Sequence, residues 1–207
     1  MKPSLLIADF TGMYEAEGFL QALQDRGVPY RQVRLGDIEG TCCYCSPEAE
    51  AEIMDRLVPQ PEGRVRWIDS GDYHYVTKIL AARERESFTL VLVDNHPDDQ
   101  APVFGGVLSC GSWVTQVHRL PNWREEAPNV YISIDKDVLS RVFARTDWDQ
   151  GTMTLDELSA ALRKLRAERR IIGVDLCGGN TIEKGASPED LALNASTGEA
   201  LYGLFRD

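Results

Sequence analysis

In TLVLVDNHPDD, residues 89–99, a β-branched and apolar run passes directly into a cluster of acids around a histidine. A second stretch, VYISIDKD, residues 130–137, has the same form. Short runs that are apolar on both faces are typical of buried parallel strands. We therefore expect an α/β protein in which reactive side chains follow the strands.

Further apolar runs alternate with amphipathic stretches along the chain, a pattern that predicts βα units and a mostly parallel sheet. The helix signals are equally clear. A helix is predicted over residues 15–25, stopping at Gly27, and another begins at Ser46-Pro47, with Ser as N-cap and Pro in the first turn. Residues 154–157 and 187–190 read as capping boxes. The predicted strands are residues 5–9, 30–35, 65–68, 89–93, 130–134 and 171–174.

The composition is that of an ordinary soluble globular protein, with 207 residues, 43% hydrophobic and 27% charged. We expect one domain over residues 1–207. The formal net charge of −11 argues against a general nucleic-acid or anionic-membrane binder. The apolar run in the first ten residues, MKPSLLIADF, is shorter than a signal sequence requires. Five cysteines without a regular spacing favour free thiols over disulfides. A cytoplasmic location is therefore expected.

Three clusters of acids and histidines lie at predicted strand ends. They are Asp69 to His74, Asp94 to Asp99, and Asp135 to Asp137. The carboxyl ends of parallel strands meet at one edge of a sheet, where ligands bind in open α/β folds. We expect these three segments to converge there.

Side chains alternate along an extended segment, so Asp94, His96 and Asp98 are expected to face one way, as are Asp135 and Asp137. This mixed oxygen and nitrogen set suits two divalent ions such as Mn²⁺, with Zn²⁺ or Fe²⁺ as alternatives. Two dications offset the repulsion among clustered carboxylates and lower the pKa of a bound water. The competing interpretation of D-x-H-x-D is an Asx-rich turn that caps the next helix.

These motifs resemble the ureohydrolase superfamily of arginase, agmatinase and formiminoglutamase. The resemblance rests on Asp94-x-His96-x-Asp98, Ser133-Ile134-Asp135-Lys136-Asp137 and the upstream Gly71-Asp72-Tyr73-His74, and it spans residues 64 to 205. It implies a three-layer α/β/α sandwich with a binuclear manganese centre. It also implies that Asp98 accepts a hydrogen bond from the attacking hydroxide. The implied ligands are His74, Asp94, Asp98 and Asp135 for one ion, and Asp94, His96, Asp135 and Asp137 for the other.

The departures from the family pattern concern the substrate more than the metals. Tyr73 separates Asp72 from His74, so a bulge or an altered helix start must bring His74 into register. Cys110 stands where arginases place a catalytic histidine; it is our catalytic candidate beside Asp98, and the alternative is a buried small residue. Arginases hold the guanidinium with a glutamate shortly after the last core strand, whereas this chain has Cys177-Gly178-Gly179-Asn180 there, without a glutamate. We therefore name Asn180 and Glu183 as substrate-contacting candidates and do not expect arginase activity.

The leading functional hypothesis is a metal-dependent hydrolase of a C–N bond, an amidine or a non-peptide amide, in a small molecule other than arginine. The alternatives are a metallophosphoesterase and a catalytically silent metal-binding protein. Nucleic acid and membrane partners are not expected, and a homo-oligomer stays open. Asp72 could ligate or cap a helix, and Cys42, Cys43 and Cys45 lack a second Cys or His pair at zinc-site spacing.

Overall fold

The computed structural model describes residues 5–57 and 64–206, so the first four residues of the N-terminal segment considered above lie outside it. Six parallel strands form the central sheet in the order β2-β1-β4-β8-β7-β5, and they match the six predicted strands to within three residues at each end. A two-stranded antiparallel ribbon joins β3 to β6. The strands are β1 Leu5–Asp9, β2 Tyr30–Arg34, β3 Tyr44–Cys45, β4 Val65–Ile68, β5 Phe88–Val93, β6 Leu108–Ser109, β7 Asn129–Asp135 and β8 Arg170–Cys177.

Helices cover both faces of the sheet and give the expected three layers. Residues of α3, α4 and α5 pack with Leu6 and Ala8 of β1 in one core. Residues of α1, α2, α6 and α7 pack with Leu5 and Ile7 of the same strand in the other, because alternate side chains of a strand point to opposite faces. The helices are α1 Met13–Ala16, α2 Phe19–Asp25, α3 Pro47–Leu57, α4 Val76–Ala81, α5 Trp113–Val117, α6 Leu155–Glu168 and α7 Pro188–Phe205.

The predicted helix starts are confirmed, but the single helix predicted over residues 15–25 is wrong. Ser46 Oγ accepts a hydrogen bond from the Ala49 amide at 3.1 Å, and Thr154 and Ser187 both form complete capping boxes. The predicted helix is two helices, α1 and α2, because Gly18 between them adopts φ 72. Glycine enters this left-handed region without the steric penalty that other residues carry, so it breaks the helix.

Strands β7 and β8 pair with a register irregularity that Gly173 accommodates. Val130 pairs with Ile171, whereas Tyr131 pairs with Gly173. A Cβ at Gly173 would lie 2.6 Å from both the Tyr131 ring and Arg66 Nη1. The Tyr131 hydroxyl accepts from Arg66 at 2.8 Å and donates to Asp175 at 2.6 Å. This buried network ties three neighbouring strands together below the site.

The ribbon was not predicted, because two residues per strand are too few to show a period. It lies beside the carboxyl ends of the central strands, where Tyr44 pairs with Ser109 and Cys45 with Leu108. Among the described residues, no helix has the length and apolar character that a membrane crossing requires.

Candidate metal centre

A cavity of about 350 Å³ opens at the carboxyl ends of the central strands. All six residues predicted as metal ligands line it, and so does Cys110. The expected convergence of the three segments is therefore present. The six residues are His74, Asp94, His96, Asp98, Asp135 and Asp137.

The first donor group consists of His74, Asp94 and Asp98. Nδ1 of His74 lies 3.1 Å from Oδ2 of Asp94 and 3.1 Å from Oδ2 of Asp98. Oδ2 of Asp135 lies 3.6 Å from the same nitrogen. These side chains are almost completely buried, so their donor atoms converge at the base of the cavity.

The second donor group consists of Asp94, His96 and Asp137, so Asp94 belongs to both groups. Nδ1 of His96 lies 2.7 Å from Oδ2 of Asp137 and 3.7 Å from Oδ1 of Asp94. One carboxylate shared by two donor groups is an arrangement that can bridge a pair of cations.

Backbone amides fix the carboxylates in the loops after β5 and β7. The amide of His96 donates to Asp94 Oδ1 at 2.7 Å, and the amide of Asp137 donates to Asp135 Oδ1 at 2.9 Å. The amide of Asn95 donates to Asp137 Oδ1 at 3.0 Å and joins the two loops. An Asx turn is therefore present at Asp94, but it caps no helix, because residues 97–103 are irregular and the next helix, α5, begins only at Trp113.

A tight 3-10 turn over Gly71–Tyr73 supplies the register shift that His74 needs. The Tyr73 ring stacks on Phe10, with centroids 4.0 Å apart, and leaves the inward position to His74. Nε2 of His74 contacts Ser133 Oγ at 2.7 Å, which directs Nδ1 at the carboxylates. Second hydrogen bonds of this kind set the orientation of metal-binding histidines.

Three supporting residues of the site had no predicted role. Trp113 Nε1 donates to Asp98 Oδ2 at 2.6 Å, and the buried Cys177 thiol donates to Asp135 Oδ2 at 3.1 Å. Ser133 could have been found, because it lies two residues before Asp135 and so on the same face of β7. Trp113 and Cys177 reach the site from distant segments, and no local pattern marks them.

The carboxylates crowd one another where little water can screen them. Burial, followed by the charges of Asp135 and Asp94, raises the pKa of Asp137 to about 9. Burial also raises the pKa of Asp135, whereas the neighbouring His74 imidazole outweighs burial at Asp94 and lowers its pKa. Oδ2 of Asp94 is buried without a well-formed hydrogen bond. A buried oxygen of this kind, among like charges, fits a site for cations.

The substrate-contacting candidates lie outside this cavity. Asn180 Oδ1 accepts from the Thr181 amide at 2.9 Å, and Glu183 is exposed in a 3-10 turn over Ile182–Lys184. Neither is among the described residues that line the cavity. Asp72 also turns away from the donor groups, where Trp148 Nε1 donates to it at 3.1 Å and Lys184 forms an ion pair with it.

No family model matches this sequence. An uncharacterized protein of Thermotoga maritima is 29% identical over 97% of this chain and 90% of its own length. Solved structures resemble the chain at lower identity. Arginase from Bacillus subtilis has a TM-score of 0.67 at 10% identity, covering 100% of this chain and 99% of that one.

Two further solved structures agree with this match. Agmatine ureohydrolase of Thermoplasma volcanium has a TM-score of 0.66 at 10% identity, covering 98% of this chain and 89% of that one. Proclavaminate amidino hydrolase from Streptomyces clavuligerus has a TM-score of 0.66 at 14% identity, covering 99% and 94%. The six-stranded parallel sheet between two helical layers is thus an arginase-like α/β fold.

Proposed function

We propose that this protein is a hydrolase that uses two divalent cations to cleave a C–N bond of a small molecule, an amidine or a non-peptide amide. The observation that carries the proposal is the sharing of Asp94 between two donor groups at the base of one cavity. The fold likeness to an arginase, an agmatine ureohydrolase and a proclavaminate amidino hydrolase supports the reaction class.

The donor set favours hard or borderline cations. His74, Asp94, Asp98 and Asp135 would hold one ion, and Asp94, His96, Asp135 and Asp137 the other. Carboxylate and imidazole ligands suit Mn²⁺, with Zn²⁺ or Fe²⁺ as alternatives. When bound, such a pair supplies a water of lowered pKa and polarises the electrophilic carbon of the substrate.

Asp98 and Cys110 are the residues that we propose for proton handling. Asp98 Oδ2 is held by Trp113, so the carboxylate keeps one position while it accepts a proton. Cys110 lines the cavity, and its amide donates to the Cys43 carbonyl at 2.9 Å, which fixes the backbone that carries the thiol. This thiol is the candidate that passes the proton to the leaving nitrogen.

The cavity itself limits the substrate. Among the described residues, no Lys or Arg lines it, so a substrate carboxylate would meet several Asp side chains without a counter-ion. The outer wall includes Tyr44, Val103 and Trp148, all partly exposed. A substrate of small size, without an anionic group, fits this lining. Asn180 and Glu183 would contact it only after the loop behind β8 moves.

The test is metal content followed by turnover. Protein purified without chelator is compared with Asp94→Ala and Asp135→Ala by mass spectrometry, and then assayed for ammonia, urea or amine release from guanidino, formimino and N-acyl compounds. We expect about two metal equivalents in the parent protein, lost in both variants, and hydrolysis of at least one compound. Absence of metal after reloading would refute the metal-centre proposal.

One observation favours a second candidate, a metal-binding protein without hydrolytic activity. Both imidazoles among the described residues that line the cavity belong to the donor groups, so neither is left over to carry protons. Tight metal binding, with no hydrolysis of the C–N compounds or of an aryl phosphate, would favour this candidate. Release of product from any C–N substrate would exclude it, and aryl phosphate turnover would favour a phosphoesterase.

A further inference from the structure

A separate cluster of side chains that can bind metal lies at the mouth of the cavity, apart from the two donor groups described above. It consists of Cys42, Cys43 and Asp72. The two sulfur atoms are 4.0 Å apart, Cys43 Sγ lies 3.4 Å from Asp72 Oδ1, and Cys42 Sγ lies 3.7 Å from Asp72 Oδ2. The fold supplies the carboxylate from 30 residues further along the chain, which is why no sequence spacing revealed it.

These separations match those of a tetrahedral thiolate site. With Zn–S bonds of about 2.3 Å and a Zn–O bond of about 2.1 Å, tetrahedral angles place two sulfurs about 3.8 Å apart and sulfur about 3.6 Å from oxygen. The observed 4.0 Å between the sulfurs and 3.4 Å from Cys43 Sγ to Asp72 Oδ1 differ from these values by a few tenths of an ångström, and Cys42 Sγ approaches the other carboxylate oxygen, Oδ2, at 3.7 Å. A rotation of these side chains would be needed to bring both sulfurs to one Asp72 oxygen.

The backbone around Cys43 brings the two thiols together. Adjacent residues of an extended strand point to opposite faces. Cys43 instead adopts φ 58, a left-handed conformation that is uncommon outside glycine, and the Tyr44 amide donates to the Cys42 carbonyl at 2.6 Å. The resulting tight turn directs both sulfurs at Asp72.

A third thiol and a compensating charge lie nearby. Cys110 faces Cys43 across the end of the ribbon, where its amide donates to the Cys43 carbonyl, and both residues line the cavity. Lys184 forms ion pairs with Asp72 and Asp147. Two thiolates beside Asp72 would add negative charge that Lys184 cannot neutralise alone, whereas a dication would balance it.

We propose that Cys42, Cys43 and Asp72 bind a thiophilic divalent cation of the Zn²⁺ type. Thiolates select such ions, whereas the carboxylate and imidazole centre suits harder ones. Asp72 lies in the middle of the 3-10 turn that ends at His74. The bound ion would therefore fix the turn that positions His74 and would narrow the mouth of the cavity.

The first test uses Zn²⁺ as the probe in an Asp94→Ala/Asp135→Ala double variant, in which the other centre is disabled. Reduced protein is loaded with Zn²⁺ and desalted, and metal is counted. We expect about one equivalent, lost when Cys42→Ser or Cys43→Ser is added and retained with the matched control Cys45→Ser. Cys45 is buried and its thiol donates to the Ser46 carbonyl, outside the group. Equal zinc content in all of these proteins would overturn the proposal.

A second measurement uses the chain without substitutions and does not depend on hydrolysis. Reduced protein is alkylated with and without Zn²⁺, and each cysteine is mapped by mass spectrometry. We expect Zn²⁺ to protect Cys42 and Cys43 at least tenfold and a chelator to restore their reactivity. Protection of Cys110 as well would make it a fourth ligand and would rule it out as the proton carrier. Alkylation of Cys42 and Cys43 at the same rate with and without Zn²⁺ would overturn the metal proposal.

Discussion

Ser133 Oγ and His74 Nε2 lie 2.7 Å apart inside the core, although the two residues come from different strand ends of the sheet. The Ser133 hydroxyl also lies 3.1 Å from Thr77 Oγ1, so its own position is fixed. With Nε2 held in this way, Nδ1 of His74 faces Asp94 and Asp98. The pair therefore couples a strand residue that does not itself line the cavity to the orientation of a donor group.

Ser133→Ala is expected to weaken metal binding while leaving the fold intact. The hydroxyl is buried, and removal of a partner that orients a metal-binding histidine costs about 10- to 100-fold in metal affinity. Metal affinity would be measured by competition with a chromophoric chelator. Ser140→Ala, on the loop after β7, is the control, and an unchanged affinity in Ser133→Ala would contradict the orienting role.

Gly178→Ala is expected to damage the metal centre and the fold together. Gly178 adopts φ 79, and a Cβ there would lie 1.9 Å from Asp135 Oδ1. Gly185→Ala is the matched control, because Gly185 adopts φ 88 with nothing within 4 Å of its Cβ position. The control should lose only about 1 kcal/mol of unfolding free energy in urea. Gly178→Ala should lose more and should retain less metal; equal effects would refute the steric explanation.

The metal-free protein is expected to lose stability as pH rises from about 4 to about 9. Burial and the neighbouring carboxylates raise the pKa of Asp137 to about 9, far above its value in the unfolded chain. Between the two values the folded state binds the proton and the unfolded state does not. Such a group contributes stability at low pH that is lost as pH rises through the folded pKa, at a slope of up to about 1.4 kcal/mol per pH unit.

Thermal unfolding in the presence of a chelator measures this dependence. Asp137→Asn is the control, because the amide keeps the size of the side chain and cannot titrate. The variant should show a flatter decline between pH 5 and pH 8 than the parent chain. A parent chain whose stability rises over that range would contradict the pKa assignment.

Trp113→Phe is expected to weaken the site through Asp98 alone. The indole nitrogen donates to Asp98 Oδ2 at 2.6 Å, and phenylalanine keeps a ring beside His74 but not this donor. Loss of the donor to a buried carboxylate oxygen lowers the free energy of unfolding by about 1 to 3 kcal/mol. Metal retention after dialysis should fall, whereas Trp123→Phe, a tryptophan that packs against His118, should leave it unchanged.

The sequence was a good guide to the features that repeat locally. Strand periodicity identified all six strands of the central sheet, and the acids at their ends marked the region that becomes the cavity. The capping boxes at Thr154 and Ser187 were equally readable, because each is complete within four residues. Local patterns thus determine both the layers and the edge at which the site forms.

Features that depend on contacts between distant segments could not be predicted from the sequence. The Trp113 donor to Asp98 and the Cys177 donor to Asp135 arrive from other elements, and periodicity says nothing about which elements meet. The break at Gly18 was missed for a different reason. An isolated glycine is tolerated within helices, so its left-handed conformation follows from packing on both sides.

The β3–β6 ribbon has a consequence for how substrates would reach the cavity. It contains only two residue pairs, so little free energy separates its closed form from an open one, whereas the six central strands share long ladders. Its amides should exchange with solvent much sooner than those of β7 and β8. Since Tyr44 and Cys110 belong to or adjoin this ribbon, entry to the cavity would be governed by a local unfolding equilibrium rather than by the stability of the whole molecule.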